Sequence, residues 1–500
     1  MQISSLAQVL RLRENVSDMQ SQLGDLNRQL VTGKKADTFG GLGADRNLVL
    51  SMRQEIGSIE SYLKTITQTE LRMTAMSDVL TRIDTIMADV KAGSLTTGFD
   101  LVNGGQTDLQ VLAGLQLDEV VALLNLEVED RHLFAGRDTL TKPVVSADLI
   151  LNGDTTHAGL IQLIDERRQA DLGVDNRGRL AIPVPAGAAV SLAETDDPNA
   201  FGFKLGAIAS TLAGTAIVQP AGSPPTASVT FGAPLPGQGE TIAIDLLLPD
   251  GSTETITLTA ETIGPAGEGE FLVGVDANTT AANFQAALDT AIQTKAKTAL
   301  RAASATVATD NFFDTTSSTP PQRVNGPPFG TATTLIDGTT ADTIFWYQGD
   351  NTTTPISDSA VAKIDDGRTL SYGSRADDDP IRTALKVTAL LAAESYTGLD
   401  PDEDEAYDEM IGRLIPLAGF KGVRSVGDVV IDLGLKADKL DETKTRHERA
   451  LSLSKGLVED KENADAFEIG AKLGQLQTQL QASFQVTARL NELSLINFIR

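Results

Sequence analysis

The chain has no cysteine, so disulfide frameworks, thiolate metal sites and cysteine nucleophiles are excluded from the outset. Cationic charge is scarce: 41 Lys and Arg stand against 68 Asp and Glu, a formal net charge of −27 over 500 residues. Binding nucleic acid through its phosphates needs clustered cations, so nucleic acid is not an expected partner. The same negative excess suits free monomers that repel one another. No stretch reaches the roughly 18 apolar residues of a membrane span, so no membrane insertion is expected. MQISSLAQVLRLRENVSDMQ at the start lacks the apolar run of a secretory signal peptide. Histidine is rare too. His132, His157 and His447 are far apart and follow neither an H-x-x-x-H nor an H-x-E pattern, so no metal or catalytic role is expected of them.

Proline is missing from residues 1–135, and what stands there instead is helical periodicity. Val16, Met19, Leu23, Leu26 and Leu30 follow the spacing of a heptad seam. TGKKADTFGGLGAD (32–45) interrupts it with turn residues, and Asp45 can cap the next helix. The seam resumes through Ile56, Ile59, Leu63 and Ile66, then from Met73 to Val90. KAGSLTTGFD (91–100) predicts a second break, and Leu109 to Leu126 a further helix.

Residues 137–378 hold nearly all the prolines, with much Gly, Thr and Ser. ETIAIDLLLPDGSTETITLTA (240–260) predicts a β-hairpin turning on Pro-Asp-Gly-Ser. The stretch 279–297 predicts an amphipathic helix capped by Thr279 or Thr280, and DTIFWYQG (342–349) a strand. PAGSPPTAS (220–228) and SSTPPQRVNGPPFG (317–330) have the composition of linkers or long loops.

Helical signal returns from Pro380. IRTALKVTALLAAESY (381–396) precedes an acidic stretch, and Ile431, Leu435, Leu440, Leu451, Leu453 and Leu457 lie in the long helical run beyond it. Ile469, Leu473, Leu476, Leu480 and Phe484 continue it into Leu490, Leu493, Ile496 and Phe498. An unbroken helix over 457–500 would be roughly 65 Å long. Such a helix is stable in water only when its stripe is buried. With heptads at both ends, the economical arrangement sends the chain out and brings it back. The expected class is therefore α+β and multidomain, with paired long terminal helices, coiled-coil-like, and a β-rich outer insertion. Residues 1–44 with 457–500 form an inner layer, 45–136 with 380–456 a helical second layer, and 137–379 the outer part, possibly split near 220. Leu493, Leu495, Ile496, Phe498 and Ile499 make a nearly all-round apolar end, a surface that awaits partners.

Candidate chemistry is sparse. GGLG (40–43) lacks both a preceding strand and the Walker Lys-Ser/Thr, which favours a joint between helices over a phosphate loop. DPDEDEAYDE (400–409) and RADDDP (375–380) lack the EF-hand spacing and its glycine, which favours solvated acidic loops over calcium sites. Trp346, between Phe345 and Tyr347, is expected in a core rather than on a sugar platform. No catalytic, cofactor-binding or metal residues are expected, and no enzyme.

Both ends resemble the flagellin family of bacterial axial proteins, and within it the junction type that joins hook to filament. The matching segments are MQISSLAQVL, LVTGKKADT (30–38), RHLFAGRDT (131–139) and AKLGQLQTQLQASFQVTARLNELSLINFIR (471–500). RHLFAG is similar to the family's YLFAG segment, with His132 in place of the aromatic, and VTGKKADTFGGLGAD departs from the family's STGKRI segment, with Gly40, Gly41 and Gly43 making a looser turn. The resemblance covers about half the chain, roughly 1–140 and 380–500. It implies an inner layer built from both termini and outer domains facing solvent. It also implies export without a cleaved signal peptide to an extracellular flagellum, and terminal helices that order on assembly. The implied partners are other copies in a ring or helical tube, the hook-side junction protein, flagellin and an export chaperone. A filament-forming flagellin is the alternative within the family. A secreted enzyme or an adhesin on a similar scaffold is the alternative outside it.

Overall fold

The computed structural model describes residues 2–102, 105–196, 199–315 and 319–498, with the backbone alone for 2–6, 8 and 490–498. The helices are α1 (Gln2–Thr32), α2 (Arg46–Thr96), α3 (Asp108–Leu124), α4 (Ala147–Asn152), α5 (Leu160–Leu172) and α6 (Ala277–Lys297). They continue with α7 (Ala299–Phe313), α8 (Asp379–Ala393), α9 (Glu403–Ala418), α10 (Val426–Glu462) and α11 (Ala466–Phe498). Strands β1 (Leu180–Ala181), β2 (Ala189–Glu194), β3 (Lys204–Ser210) and β4 (Thr215–Ala221) begin the sheet region. Next come β5 (Thr226–Phe231), β6 (Thr241–Leu247), β7 (Thr253–Glu261) and β8 (Glu270–Leu272). Two short hairpins complete the strands, from β9 (Gln322–Val324) with β10 (Leu335–Asp337) and from β11 (Val361–Asp365) with β12 (Arg368–Ser371). Helix takes 53% of the chain and strand 16%, and the strands are confined to the interior of the sequence, so the class is mixed and segregated α+β.

The chain divides into two compact units. The first holds residues 1–70, 362–369 and 438–500. Within it the early part of α2 lies beside the late part of α10 in opposite directions. Arg53 meets Glu462, Glu60 meets Lys455 at 2.8 Å and Glu70 meets Lys444 at 2.8 Å. Val49, Ile59 and Ile66 are buried on α2, and Leu440 and Val458 on α10. The α10 stripe also carries the buried polar residues Thr443, His447 and Ser454. Thr443 donates its hydroxyl to Lys439 O at 2.9 Å, and His447 Nε2 lies 2.8 Å from Ile364 O on the 362–369 hairpin tip. Leu453 and Leu457, in the same helical run, are exposed, as are Ile431 and Leu435.

The second unit holds residues 71–361 and 370–437. Its helical part packs α3 on α8, α5 on α7, and α7 on α8 and α9. Helix α3 starts in a capping box, with Thr107 and Gln110 each satisfying the other's backbone amide. Its β-rich part has two four-stranded sheets, ordered β1-β2-β5-β4 and β3-β6-β7-β8, with α6 against them. Their core gathers Phe231, Phe271 and Phe284, with ring centroids 5.3 to 6.1 Å apart. Trp346 is fully buried and donates to Phe313 O at 3.1 Å, a core residue as expected.

Several local expectations change. The hairpin over 240–260 forms as β6 and β7 in continuous antiparallel register. PAGSPPTAS is no linker but the tight connection of the antiparallel pair β4 and β5. The 279–297 helix starts earlier, because Asp276 accepts from Thr279 N at 2.8 Å and takes the cap from Thr279 and Thr280. Residues 342–349 run extended with isolated bridges at Thr343 and Tyr347 rather than as a strand. Helix α2 continues to Thr96, so the break begins later than Lys91. The expected helix over 457–500 is interrupted at Asn463–Asp465, where Asp465 accepts from Phe467 N at 2.8 Å and starts α11 afresh.

Candidate assembly interface

Helix α1 ends where α11 begins. Ala464 N donates to Gly33 O at 2.9 Å, Lys35 N donates to Glu462 O at 2.8 Å, and Lys34 and Asn463 form an antiparallel bridge. Gly33 makes this turn at φ +68°, the left-handed region that glycine enters without cost. The joint is held further by Lys35 Nζ on Asp460 O at 2.7 Å and by the bidentate Arg53–Glu462 pair. The Arg53 guanidinium, outweighing partial burial, holds the Glu462 carboxyl below the ordinary glutamate value. From this joint the two helices run back along each other in opposite directions and in contact.

Of the seam residues whose side chains are described, all but Leu30 and Phe484 are buried or half-buried. On α1, Val16, Met19, Leu23 and Leu26 are half-buried, joined by Leu12 one step earlier. Leu30 is 46% exposed, and Gln29 takes its place on the inner face, donating its side-chain amide to Lys35 O at 2.9 Å. On α11, Ile469 and Leu480 are buried and Leu473 and Leu476 half-buried. Phe484 is 51% exposed, while Ser483 and Thr487 carry the stripe onward. The reason is angular. A heptad seam steps 3 after 4, so Leu480 is followed by position 483, and position 484 turns about 100° further round. The side chains of Leu490, Leu493, Ile496 and Phe498 lie outside the described residues, although the helix itself runs to Phe498.

Much apolar surface remains uncovered on this pair. Val9, Leu10, Val31, Phe484 and Val486 are exposed, and Phe467 is 92% exposed. Charge is distributed to match. Residues 1–53 hold seven Lys or Arg against five Asp or Glu, and residues 463–500 hold three of each, so the whole of the −27 lies elsewhere.

The RHLFAG segment lies in the second unit and acts there as a joint. Phe134 is fully buried, Ala376 N donates to Phe134 O at 3.0 Å, and Asp350 N donates to Ala135 O at 2.9 Å. Gly136 is at φ +69°, and a Cβ there would lie 3.0 to 3.2 Å from Arg375 and Asp350, a tight fit. His132 is buried, with Nδ1 3.0 Å from Asn125 O. Among the described residues no three His, Cys, Asp or Glu side chains group to hold a metal. The acidic stretches serve structural ends. Asp400 and Asp402 pair with Lys297, Glu403 receives Thr397 N and Gly398 N, and Asp377 forms a buried pair with Arg375. GGLG falls in a 3-10 turn, Phe39–Asp45, between α1 and α2. A scan against protein-family models finds no match to the chain, and a search of curated proteins finds none either.

Proposed function

We propose that the chain is a structural subunit of the bacterial flagellum, of the hook-associated protein 3 type, joining hook to filament by helical self-assembly of its terminal helices. The observation that carries the reading is the α1–α11 pair: the two ends of the chain lie together on matching stripes and still leave Val9, Leu10, Phe467, Phe484 and Val486 uncovered. Two helices in contact cannot bury a broad stripe on each, and other copies supply the missing cover. The near-neutral charge of these ends supports the same reading, since helices that must pack copy against copy gain from shedding the repulsion that keeps the rest of a −27 chain soluble.

In this reading the paired ends form a coiled-coil-like inner layer, the adjoining helices a second layer, and the β-rich region the outward part. The protein is exported without a cleaved signal, held by a chaperone, and meets the hook-side junction protein and flagellin at its two faces. It works as a scaffold and not as an enzyme. Electron microscopy of a deletion strain tests it. Hooks without filaments, with flagellin released to the medium, are expected. Intact filaments in that strain would refute the junction role, and thousands of copies per flagellum would indicate a filament subunit instead.

A further inference from the structure

The four edge strands of the two β-rich sheets are each protected, and the inner strand β7 is left open along part of one side. Strand β1 is two residues long. Strands β3 and β4 both shift register, and the Gln219 amide on β4 takes both backbone groups of Ile208 on β3, accepting at 2.9 Å and donating at 2.6 Å. The outer side of β8 is met by α6, with Asn283 Nδ2 donating to Leu272 O at 2.8 Å. Strand β7 is different, because β8 pairs only with Thr259, Ala260 and Glu261.

The direction of the remaining backbone groups is set by alternation. Ala260 N donates to Glu240 O on the β6 side at 2.8 Å, and Thr259 N donates to Gly269 O on the other side at 2.9 Å. Strand residues alternate in this respect. Thr253, Thr255 and Thr257 therefore turn their amides and carbonyls away from β6, where no strand pairs with them among the described residues. There is no bulge here, since β6 and β7 pair in unbroken register from Thr253 to Thr259, and no proline or lysine blunts the edge. Thr255 and Thr257 line a groove of about 300 Å³ whose opposite wall is the α6 flank, small at Ala287 and Ala291. Glu268, Glu270 and Glu405 line it against the single cation Lys295, which is already paired with Glu405 at 2.8 Å and Glu254 at 3.5 Å.

We infer that this groove is a binding site for an extended, positively charged segment of another protein, added to β7 as a further strand. The open edge supplies main-chain hydrogen bonds, the small α6 residues leave room for side chains, and the carboxylates select cationic ones. The surplus of negative charge argues against a second copy of this acidic chain as the occupant. The site is independent of the flagellar reading.

Fluorescence anisotropy on the purified full chain tests it, with a labelled heptapeptide of alternating lysine and threonine as the probe. Thr255→Pro removes an outward amide that β6 does not use, and Ala291→Arg places a long cation in the groove from the opposite wall. Binding is expected in the wild type and at least about tenfold weaker in each variant, with melting of both unchanged. The same loss is expected for a probe N-methylated at alternate residues and for one with glutamate replacing lysine. If Thr255→Pro itself lowers melting, Ala291→Arg and the methylated probe still decide. No binding to wild type, or equal binding of the methylated probe, would overturn the site. Sedimentation showing a dimer that Thr255→Pro abolishes would overturn the foreign partner in favour of a second copy.

Discussion

At the scale of single residues, Leu480 and Phe484 lie one turn apart on α11 and have opposite surroundings. Leu480 is buried against α1, and Phe484 points away from it. Leu480→Asp therefore places a charge in the chain's own helix pair, at a cost of about 3 kcal/mol or more. Hydrogen exchange should quicken along α1 and α11 in the monomer, and assembly should fail. Phe484→Asp should leave that exchange unchanged and still block the proposed assembly, in which another copy would cover Phe484. Matching exchange profiles for the two variants would show that the seam is misplaced. Glu462 offers a second test at this scale. Arg53 lowers its pKa below 4.5, so the pair adds stability above the unfolded value, and that stability is lost as pH falls through the lower folded value. Arg53 is partly solvated, so the contribution is modest, about 0.5–1 kcal/mol. Glu462→Gln should reduce protection of the 460–466 joint at neutral pH and make it less sensitive to acid than in the wild type, as read by hydrogen exchange from pH 3 to 6.

At the scale of elements, the side chains of α11 are described as far as Arg489. The stripe from Ile469 to Thr487 meets α1, upstream of NELSLINFIR (491–500). Removing 491–500 deletes Leu493, Leu495, Ile496, Phe498 and Ile499, each worth roughly 1.5–3 kcal/mol on burial, multiplied over every copy in a ring or tube. If the proposed flagellar role holds, the truncated protein should be exported, melt normally and fail to enter the flagellum. A melting temperature many degrees lower would mean that the segment folds within its own chain. The heptads of α1 and α11 were legible in the sequence because apolar residues recur there on one face. The α10 stripe was not. Thr443, His447 and Ser454 occupy its buried positions, while the apolar Leu453 and Leu457 lie on the outside. Nor could periodicity reveal the break at Asn463–Asp465, since Asp465 acts as a cap within a sequence otherwise fit for helix. The open edge of β7 was equally hidden, because strand patterning gives the faces of a strand but not its neighbours.

At the scale of the whole molecule, the β-rich region is organised as a module that begins and ends at one place. Its core runs from Leu180 to Ala303, and Gly178 approaches Phe203 and Leu300 so closely that a Cβ would lie within 3.0 Å of both. The composition of PAGSPPTAS suggested a boundary near 220, but a cut there would separate β4 from β5 and split a sheet. The separable piece is 181–298, from the end of β1 to the last residue before α7, which must stay because it packs on α5, α8 and α9. Replacing 181–298 with a short Gly–Ser linker should leave those helices folded, since closing a short loop between neighbouring ends costs little. Their melting should persist, lowered by the loss of cover over Leu300. Export and incorporation into the flagellum should also persist, because the terminal helices are untouched. Incorporation is measured by electron microscopy of cells producing the shortened protein, and folding by thermal melting of the purified chain. A shortened protein that folds and is exported but does not assemble would show that contacts of the β-rich module hold neighbouring subunits together.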